Sequence, residues 1–313
     1  MKPLNEIQIA VLCGGAGSER DVSLQSGRNI YNALCKAGLN AGLHDLDPQK
    51  LDILDDPNID LFFPALHGKF GEDGQLQQIL EQKRRPFTGS GSKASRLAFD
   101  KVAAKKIFAR AGLPVAPQVV LNGSIDQTRL AESLKNLADR FVVKPIKEGS
   151  SVGIQILDDP AQAAAAAVQC RNAFGDCMVE AFVSGREITI GILGTKALPI
   201  IEVRPKKQFY DYDAKYLDDA TEYLFDTIAD PDLVTHLQVL AERCFSVLEC
   251  RHLGRVDFIL TPNDKPCILE INTLPGFTSH SLLPMAAAHA GIPAETLCTR
   301  IAQAAWNDFR AGI

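Results

Sequence analysis

The run from Arg255 to Leu282, RVDFILTPNDKPCILEINTLPGFTSHSL, constrains this chain more than any other. It reads as two apolar strands joined by a Pro-Asn-Asp turn. Side chains alternate faces along a strand, so Arg255 and Asp257 share one face, and Glu270 and Asn272 share one face. A turn centred on Asn263-Asp264 sets Asp257 opposite Glu270 and Arg255 opposite Asn272. Pro262 and Pro266 make a bulged register the competing arrangement. The flanks VDFIL and CILEI are apolar, so the hairpin buries at least one face. Two carboxylates side by side repel unless a cation sits between them. Arg255 could be that cation, in a purely structural cluster. The other reading is a divalent ion. Oxygen ligands from Asp, Glu and Asn suit a hard cation, and Mg²⁺ keeps its remaining positions for water and phosphates. On that reading the segment is a Mg-nucleotide site.

A chain of 313 residues carries a prior of about two domains. Its hydrophobic content of 46% and charged content of 23% are those of an ordinary globular enzyme. The net charge of -5 argues against a dedicated nucleic-acid binder, which is usually basic. The eight cysteines are scattered without a CxxC pair, which argues against zinc and for reduced, buried thiols. The N-terminus has no basic region followed by a long apolar run. No apolar run approaches the roughly 20 residues that span a bilayer. The expectation is a cytoplasmic protein with no membrane or nucleic-acid partner.

Strand–helix alternation organises the first third. Ile7–Leu12 is a strand, Ser23–Ala37 a helix, Leu61–Leu66 a strand and Gln75–Lys83 a helix, which predicts an α/β domain with a mostly parallel sheet. The stretch from Thr88 to Ser92 breaks the pattern and sets a boundary, giving a first domain of residues 1–92. Ser95–Ala111 reads as one helix, stopped by Gly112. Strands at Phe141–Lys144, Ile154–Leu157 and Met178–Phe182 surround an alanine-rich helix, and Ser184-Gly185 marks the second boundary, giving domains 93–184 and 185–313. Strands Glu187–Leu193 and Leu198–Val203, a helix Leu233–Leu248, the hairpin and a helix from about Ser281 complete the chain. Between them, residues 204–222 form a long polar stretch with three tyrosines and five acidic residues, the pattern of a functional lid or a disordered segment.

Each further candidate has a plain reading beside the functional one. Lys144 ends an apolar strand before the loop Gly149-Ser150-Ser151-Val152-Gly153. It is either solvated or a phosphate ligand under a flexible Gly/Ser loop. Lys101 lies on a helix, where a lysine is ordinarily exposed. The loop GGAGSERDVS is a tight turn, or it places Glu19 to hold an ammonium group. Its glycines lack the G-x-G-x-x-G spacing, which excludes a dehydrogenase. Ser281 is a helix cap, an anion contact at a helix start, or both. His67 is a general base, a substrate-orienting group or polar packing.

Seven motifs, in this order, carry a resemblance: GGAGSERDVSLQSG, ALHGKFGEDGQLQ, FTGSGSKASRLAFDK, VVKPIKEGSSVG, YDYDAKY, GRVDFIL and EINTLPGFTSHSLLPMAA. Together they resemble the D-alanine–D-alanine ligase family of the ATP-grasp superfamily. The resemblance implies a Rossmann-like domain followed by a two-subdomain ATP-grasp fold, α/β and α+β in class, that clasps ATP between two sheets. It implies a homodimer, ATP as cofactor, and two Mg²⁺ ions (Mn²⁺ in their place) on Asp257, Glu270 and Asn272. It assigns Lys101 and Lys144 to the ATP phosphates, and Glu148 and Ser151 to ATP binding. Glu180, Phe182, Val183 and Glu187 would line the adenine and ribose pocket. Ala181 stands where the family often has a basic residue, and Phe182 replaces a common Trp. Glu19 would hold the first D-alanine, with His67 nearby. Arg255 and the Gly276 amide would stabilise the oxyanion, with Arg255 facing the reacting carbonyl rather than neutralising Asp257. Lys215, Ser281 and the Leu282 amide would bind the second carboxylate. Ser150 and Tyr216 would link two loops to Glu19 and close the lid. Tyr at position 216 goes with dipeptide-forming members, Phe with those accepting D-lactate. The implied activity is ATP-dependent joining of two D-alanines through a D-alanyl phosphate, for peptidoglycan synthesis. The rivals are another ATP-grasp carboxylate–amine ligase, and a catalytically silent nucleotide-binding protein on the same fold.

Overall fold

The first strand follows from its sequence: QIAVLCG is apolar except at its start, and all of it but Gln8 is buried in β1 (Gln8–Gly14). A computed structural model describes residues 2–17, 19–121, 123, 126–149, 151–205 and 221–312. β1 is the centre of a three-stranded parallel sheet, flanked by β2 (Asn40–Leu46) and β3 (Leu61–Pro64). Helix α1 (Arg20–Lys36) crosses between β1 and β2, and α2 (Gln75–Gln82) follows β3. Gly14 and Gly15 both adopt left-handed φ, at 90° and 85°. A Cβ on Gly14 would lie 2.1 Å from Asp45 Oδ1, so the turn into α1 needs glycine on two counts.

The expected helix at 95–111 is two helices. α3 (Ser92–Phe99) ends at Asp100, whose backbone is extended, and α4 (Lys101–Arg110) starts beyond it. The Asp100 carboxylate accepts the Ala103 N–H, an N-cap that makes a fresh start cheaper than continuity. The break puts Lys101 at the first position of α4.

Two antiparallel sheets follow. The first has four strands in the order β4-β7-β5-β6, with β4 (Gln118–Leu121), β5 (Phe141–Pro145), β6 (Gln155–Leu157) and β7 (Cys177–Ala181). Helices α5 (Gln127–Lys135) and α6 (Pro160–Phe174) share a core with it. The second has five strands in the order β10-β9-β8-β11-β12. These are β8 (Arg186–Leu193), β9 (Lys196–Arg204), β10 (Glu222–Leu224), β11 (Leu253–Leu260) and β12 (Pro266–Asn272). Helix α7 (Pro231–Val247) packs on it, and Ala98, Ala104 and Phe108 of α3 and α4 join that core. Helices α8 (Leu282–His289) and α9 (Ala294–Ala311) bury Leu283, Ile301 and Trp306 in one cluster with Ile9, Val11 and Phe63 of the first sheet. The two ends of the chain therefore share a core, and this holds the loop at 273–281 against α1.

The hairpin register matches the period-two expectation near the site. Arg255 pairs with Asn272 and Asp257 with Glu270. Beyond Asp257 the register shifts, and Phe258 pairs with Ile268, leaving Leu269 as a bulge. The turn is consequently wider than a two-residue one. Thr261 donates to Lys265 O, and Asp264 takes a left-handed φ of 56°.

Candidate active site

A cleft opens where α1, the hairpin and the loop after it converge. Its walls include Glu19 and His67 from the first sheet's loops, Lys101 from α4, and Glu148 and Gly149 from the Gly/Ser loop. Arg255, Glu270, Asn272, Gly276, Ser281 and Leu282 complete it. Ten residues nominated from sequence thus face one space.

Asp257 sits behind this wall, 7% exposed. It accepts from Arg255 Nε at 2.9 Å and Nη2 at 2.8 Å, and from Thr189 Oγ1 at 2.5 Å. Thr189 lies directly opposite it on β8. The expectation is that Arg255 faces the reacting carbonyl rather than simply neutralising Asp257; the ion pair with Asp257 is present as well. Positions two apart on one strand face share a fork, and a buried carboxylate needs a cation. Arg255 makes that bidentate pair while also bordering the cleft.

Glu270 lies 3.2 Å from Lys101 Nζ, which also donates to the Glu148 carbonyl at 2.6 Å. The Glu148 carboxylate pairs instead with Lys69 at 2.6 Å, which ties the start of the Gly/Ser loop to the loop between β3 and α2. Asn272 Oδ1 accepts the Leu274 N–H at 2.8 Å, leaving the amide oxygen a second lone pair. Among the described residues no group of three His, Cys, Asp or Glu converges on a metal position. A set of two carboxylates and one amide oxygen nevertheless fits a hard cation that completes its shell with water and phosphate oxygens. Each carboxylate carries a cationic partner, Arg255 for Asp257 and Lys101 for Glu270, which offsets the repulsion between them.

The loop after the hairpin is held tightly. Phe277 N–H donates to Ser26 Oγ at 3.0 Å, and Asn29 Nδ2 donates to Phe277 O at 2.8 Å, both residues being on α1. Gly276 leaves no room for a side chain, since a Cβ would stand 2.7 Å from Ser281 Oγ. Ser281 occupies the N-cap position of α8, yet its hydroxyl turns back to accept the Thr278 N–H at 2.8 Å. The capping expectation therefore holds for its position and not for its side chain.

His67 is buried, with Nδ1 3.6 Å from Glu72 Oε1 and Nε2 3.4 Å from Ser26 Oγ. Burial opposes its protonation, but the Glu72 carboxylate, reinforced by Glu19, outweighs that and holds the imidazole above its ordinary value. Glu72 and Ser26 were not nominated from the sequence. Glu72 sits inside the quoted motif ALHGKFGEDGQLQ, five residues after His67, which is the signal that could have found it.

Lys144 and Glu180 do not border the cleft. They form a buried cluster with Lys105, which was also not nominated. Lys144 Nζ lies 2.5 Å from Glu180 Oε2, and Lys105 Nζ bonds the other carboxylate oxygen. Phe182 lies beyond β7 with the Arg140 guanidinium 4.4 Å over its ring. Val183 and Glu187 are half-buried near the connection into β8, and Ser151 holds a left-handed φ of 61° in its loop. Ser150, Lys215 and Tyr216 lie outside the described residues.

Comparison with known proteins agrees with this layout. The family model described as D-ala D-ala ligase C-terminus matches residues 107–303, and the one for the N-terminus matches residues 48–90. A D-alanine--D-alanine ligase from Citrifermentans bemidjiense is 42% identical over 305 residues, covering 97% of this chain and 98% of that one. The crystal structure of D-alanine--D-alanine ligase from Bacillus anthracis complexed with ATP superposes with a TM-score of 0.85 at 31% identity, covering 99% and 100% of the two chains. The VanG D-Ala:D-Ser ligase from Enterococcus faecalis superposes with a TM-score of 0.83 at 25% identity, covering 96% and 99%. The chain belongs to the D-alanine–D-alanine ligase family.

Proposed function

We propose that this chain joins two D-alanines to D-alanyl-D-alanine at the expense of ATP, with the cleft beside the hairpin as its active site. The observation that carries the residue assignment is the convergence of ammonium, carboxylate and metal candidates (Glu19, Leu282 and Glu270) on one cleft. In the first step, a carboxylate oxygen of one D-alanine takes the γ-phosphoryl group of ATP and ADP leaves. In the second, the amine of another D-alanine attacks the acyl carbon, a C–N bond forms, the amine loses a proton, and phosphate departs with the electrons of the C–O bond. No protein nucleophile is needed, so positioning and charge neutralisation carry the catalysis.

Glu19 holds the first ammonium at the start of α1, near the His67–Glu72 pair. The Gly276 amide is held in place by the bonds from Ser26 and Asn29 to Phe277, and a donor fixed before the reaction costs no reorganisation when the oxyanion forms. Arg255 supplies positive charge at the cleft wall, with Asp257 behind it as its carboxylate partner. The Leu282 amide and Ser281 hydroxyl, at the start of α8, receive the second carboxylate. Asp257, Glu270 and Asn272 would hold Mg²⁺, which supplies neutralisation of phosphate charge. The Lys69–Glu148 pair and the Lys101 bond to the Glu148 carbonyl draw the Gly/Ser loop over the cleft and keep water from the acyl phosphate. Lys215, Ser150 and Tyr216 are assigned by resemblance to the second carboxylate and the lid. Tyr216 goes with an amine nucleophile. We also propose a homodimer and a cytoplasmic location.

The test is ADP release with Mg-ATP and D-alanine, L-alanine, D-serine or D-lactate in turn, with the product identified by mass. D-Alanine should give the dipeptide. Activity only with an L-amino acid would overturn the reading, and competition by D-lactate at neutral pH would overturn the Tyr216 assignment. Light scattering that reads a single chain mass would contradict the dimer.

A further inference from the structure

The cluster of Lys105, Glu180 and Lys144 carries one cation more than a simple ion pair does. Its three ends come from three elements: Lys105 from α4, Glu180 from β7 and Lys144 from β5. Lys144 pairs with Met178 across the two strands, so Glu180 is its diagonal neighbour on the same sheet face. All three are withdrawn from solvent, at 1%, 3% and 6% exposure for Lys105, Glu180 and Lys144. Each lysine takes one oxygen of the single carboxylate. The cluster thus holds one cation more than Glu180 requires.

A buried charge that loses its only partner is strongly destabilising. Lys144, on the reading above, contacts the nucleotide's phosphates. To do so it must loosen its hold on Glu180, and without a second cation it would leave a buried carboxylate alone. We propose that Lys105 is a positioning residue: it is the resident counter-ion of Glu180, and it releases Lys144 to the phosphates of ATP. The inference rests on the proposed phosphate role of Lys144.

The electrostatics agree with the geometry. Burial would raise Glu180, but Lys144 and Lys105 together hold its carboxyl below the usual range. Burial, with Lys144 adding repulsion, pulls Lys105 down to about 8. The other titratable group facing Lys105 is Cys267 on β12, and burial holds that thiol above its ordinary value, so it stays neutral.

The test is equilibrium binding of Mg-ATP without D-alanine, together with KM for ATP and kcat. Lys105→Met leaves Glu180 with Lys144 alone, so Mg-ATP must break a tightened pair. Kd and KM for ATP should rise ~10-fold, while kcat at saturating ATP moves less than about two-fold. Glu180→Gln removes the charge that retains Lys144, so Lys105→Met should weaken Mg-ATP binding far less in the Glu180→Gln background than in the wild type, a comparison that cancels any adenine-pocket role of Glu180. A packing defect would not be suppressed by a second substitution. The inference is overturned if Lys105→Met binds Mg-ATP like the wild type, or if it weakens binding as much in the Glu180→Gln background as in the wild type. If Lys105→Met does not fold, the wild-type enzyme decides: Kd for Mg-ATP should rise as pH passes about 8 and Lys105 loses its proton, and a flat profile to pH ~9.5 overturns the inference. Lys144→Ala separates the two failures. If that variant binds Mg-ATP normally, the phosphate role of Lys144 falls. If it binds weakly while Lys105→Met binds normally, only the role of Lys105 falls.

Discussion

Asp257→Asn keeps the shape of the side chain and removes its charge. In the wild type this carboxylate takes two hydrogen bonds from Arg255, at 2.9 and 2.8 Å, and one from Thr189 at 2.5 Å. Asparagine offers one oxygen and presents an NH₂ to donors, so the bidentate fork is lost and Arg255 stays buried without its anion. Removing one partner of a buried ion pair costs about 3–5 kcal/mol. The Arg255 side chain retains 16% exposure, and water at that edge sets the cost near the low end, about 3 kcal/mol. At roughly 2–3 °C per kcal/mol in a chain of this size, the melting temperature falls by about 6–9 °C. Loss of a metal-binding carboxylate should also reduce kcat/KM for Mg-ATP by ~10²-fold or more, and require higher Mg²⁺ for what activity remains. Thermal unfolding and Mg²⁺-titrated ADP release read the two effects separately. A variant with unchanged melting temperature refutes the buried-pair argument. A variant with reduced stability but an unchanged Mg²⁺ dependence refutes the metal role and leaves Asp257 as a structural partner of Arg255.

Gly276→Ala should cut kcat by ~10²-fold in steady-state turnover, because its Cβ meets Ser281 Oγ at 2.7 Å and displaces the oxyanion amide; a small change would remove Gly276 from that role. Glu72→Gln removes the carboxylate that keeps His67 protonated above its ordinary value. The stability that protonated His67 contributes is fully present below its unfolded pKa and is lost as pH rises through its folded pKa, so the variant should lose it at lower pH. Imidazole NMR titration checks this, and an unmoved titration contradicts it. Lys101→Met loses both the 3.2 Å contact to Glu270 and the bond to the Glu148 carbonyl, so KM for ATP should rise several-fold with a smaller change in melting temperature. Normal ATP kinetics would count against it.

The hairpin pairing was legible because period two is strict: once Asp257 faces Glu270, Arg255 must face Asn272. A bulge was anticipated as an alternative from Pro262 and Pro266, but its place at Leu269 was not legible; there the neighbouring Ile268 N–H donates outside the hairpin, to the Pro114 carbonyl. β2 was missed because NAGLHDL is polar and sits at a sheet edge, where burial imposes little pattern. Asp100 hid a helix break inside an otherwise helical run, since a capping carboxylate and a surface one look alike in sequence. Lys105 was passed over because a helical lysine is ordinarily solvated. Yet it adjoins Ala104 and precedes Phe108 by three positions, on the face that α4 buries, and that periodicity was the available signal. Glu19, His67 and Gly276 come together only through the shared core of the first sheet with α8 and α9, a long-range contact that no local pattern encodes.

The measurement closest to the central claim is D-alanine-dependent ADP release by Glu270→Gln across a Mg²⁺ titration, with folding confirmed by thermal unfolding. Gln keeps the side-chain length and one oxygen, and it removes the charge that pairs with Lys101 and would hold the metal. The variant should fold and lose turnover by ~10²–10³-fold, with no recovery at neutral pH unless Mg²⁺ is raised far above the wild-type requirement. Wild-type turnover at the wild-type Mg²⁺ concentration would contradict the placing of the Mg-ATP site on this hairpin.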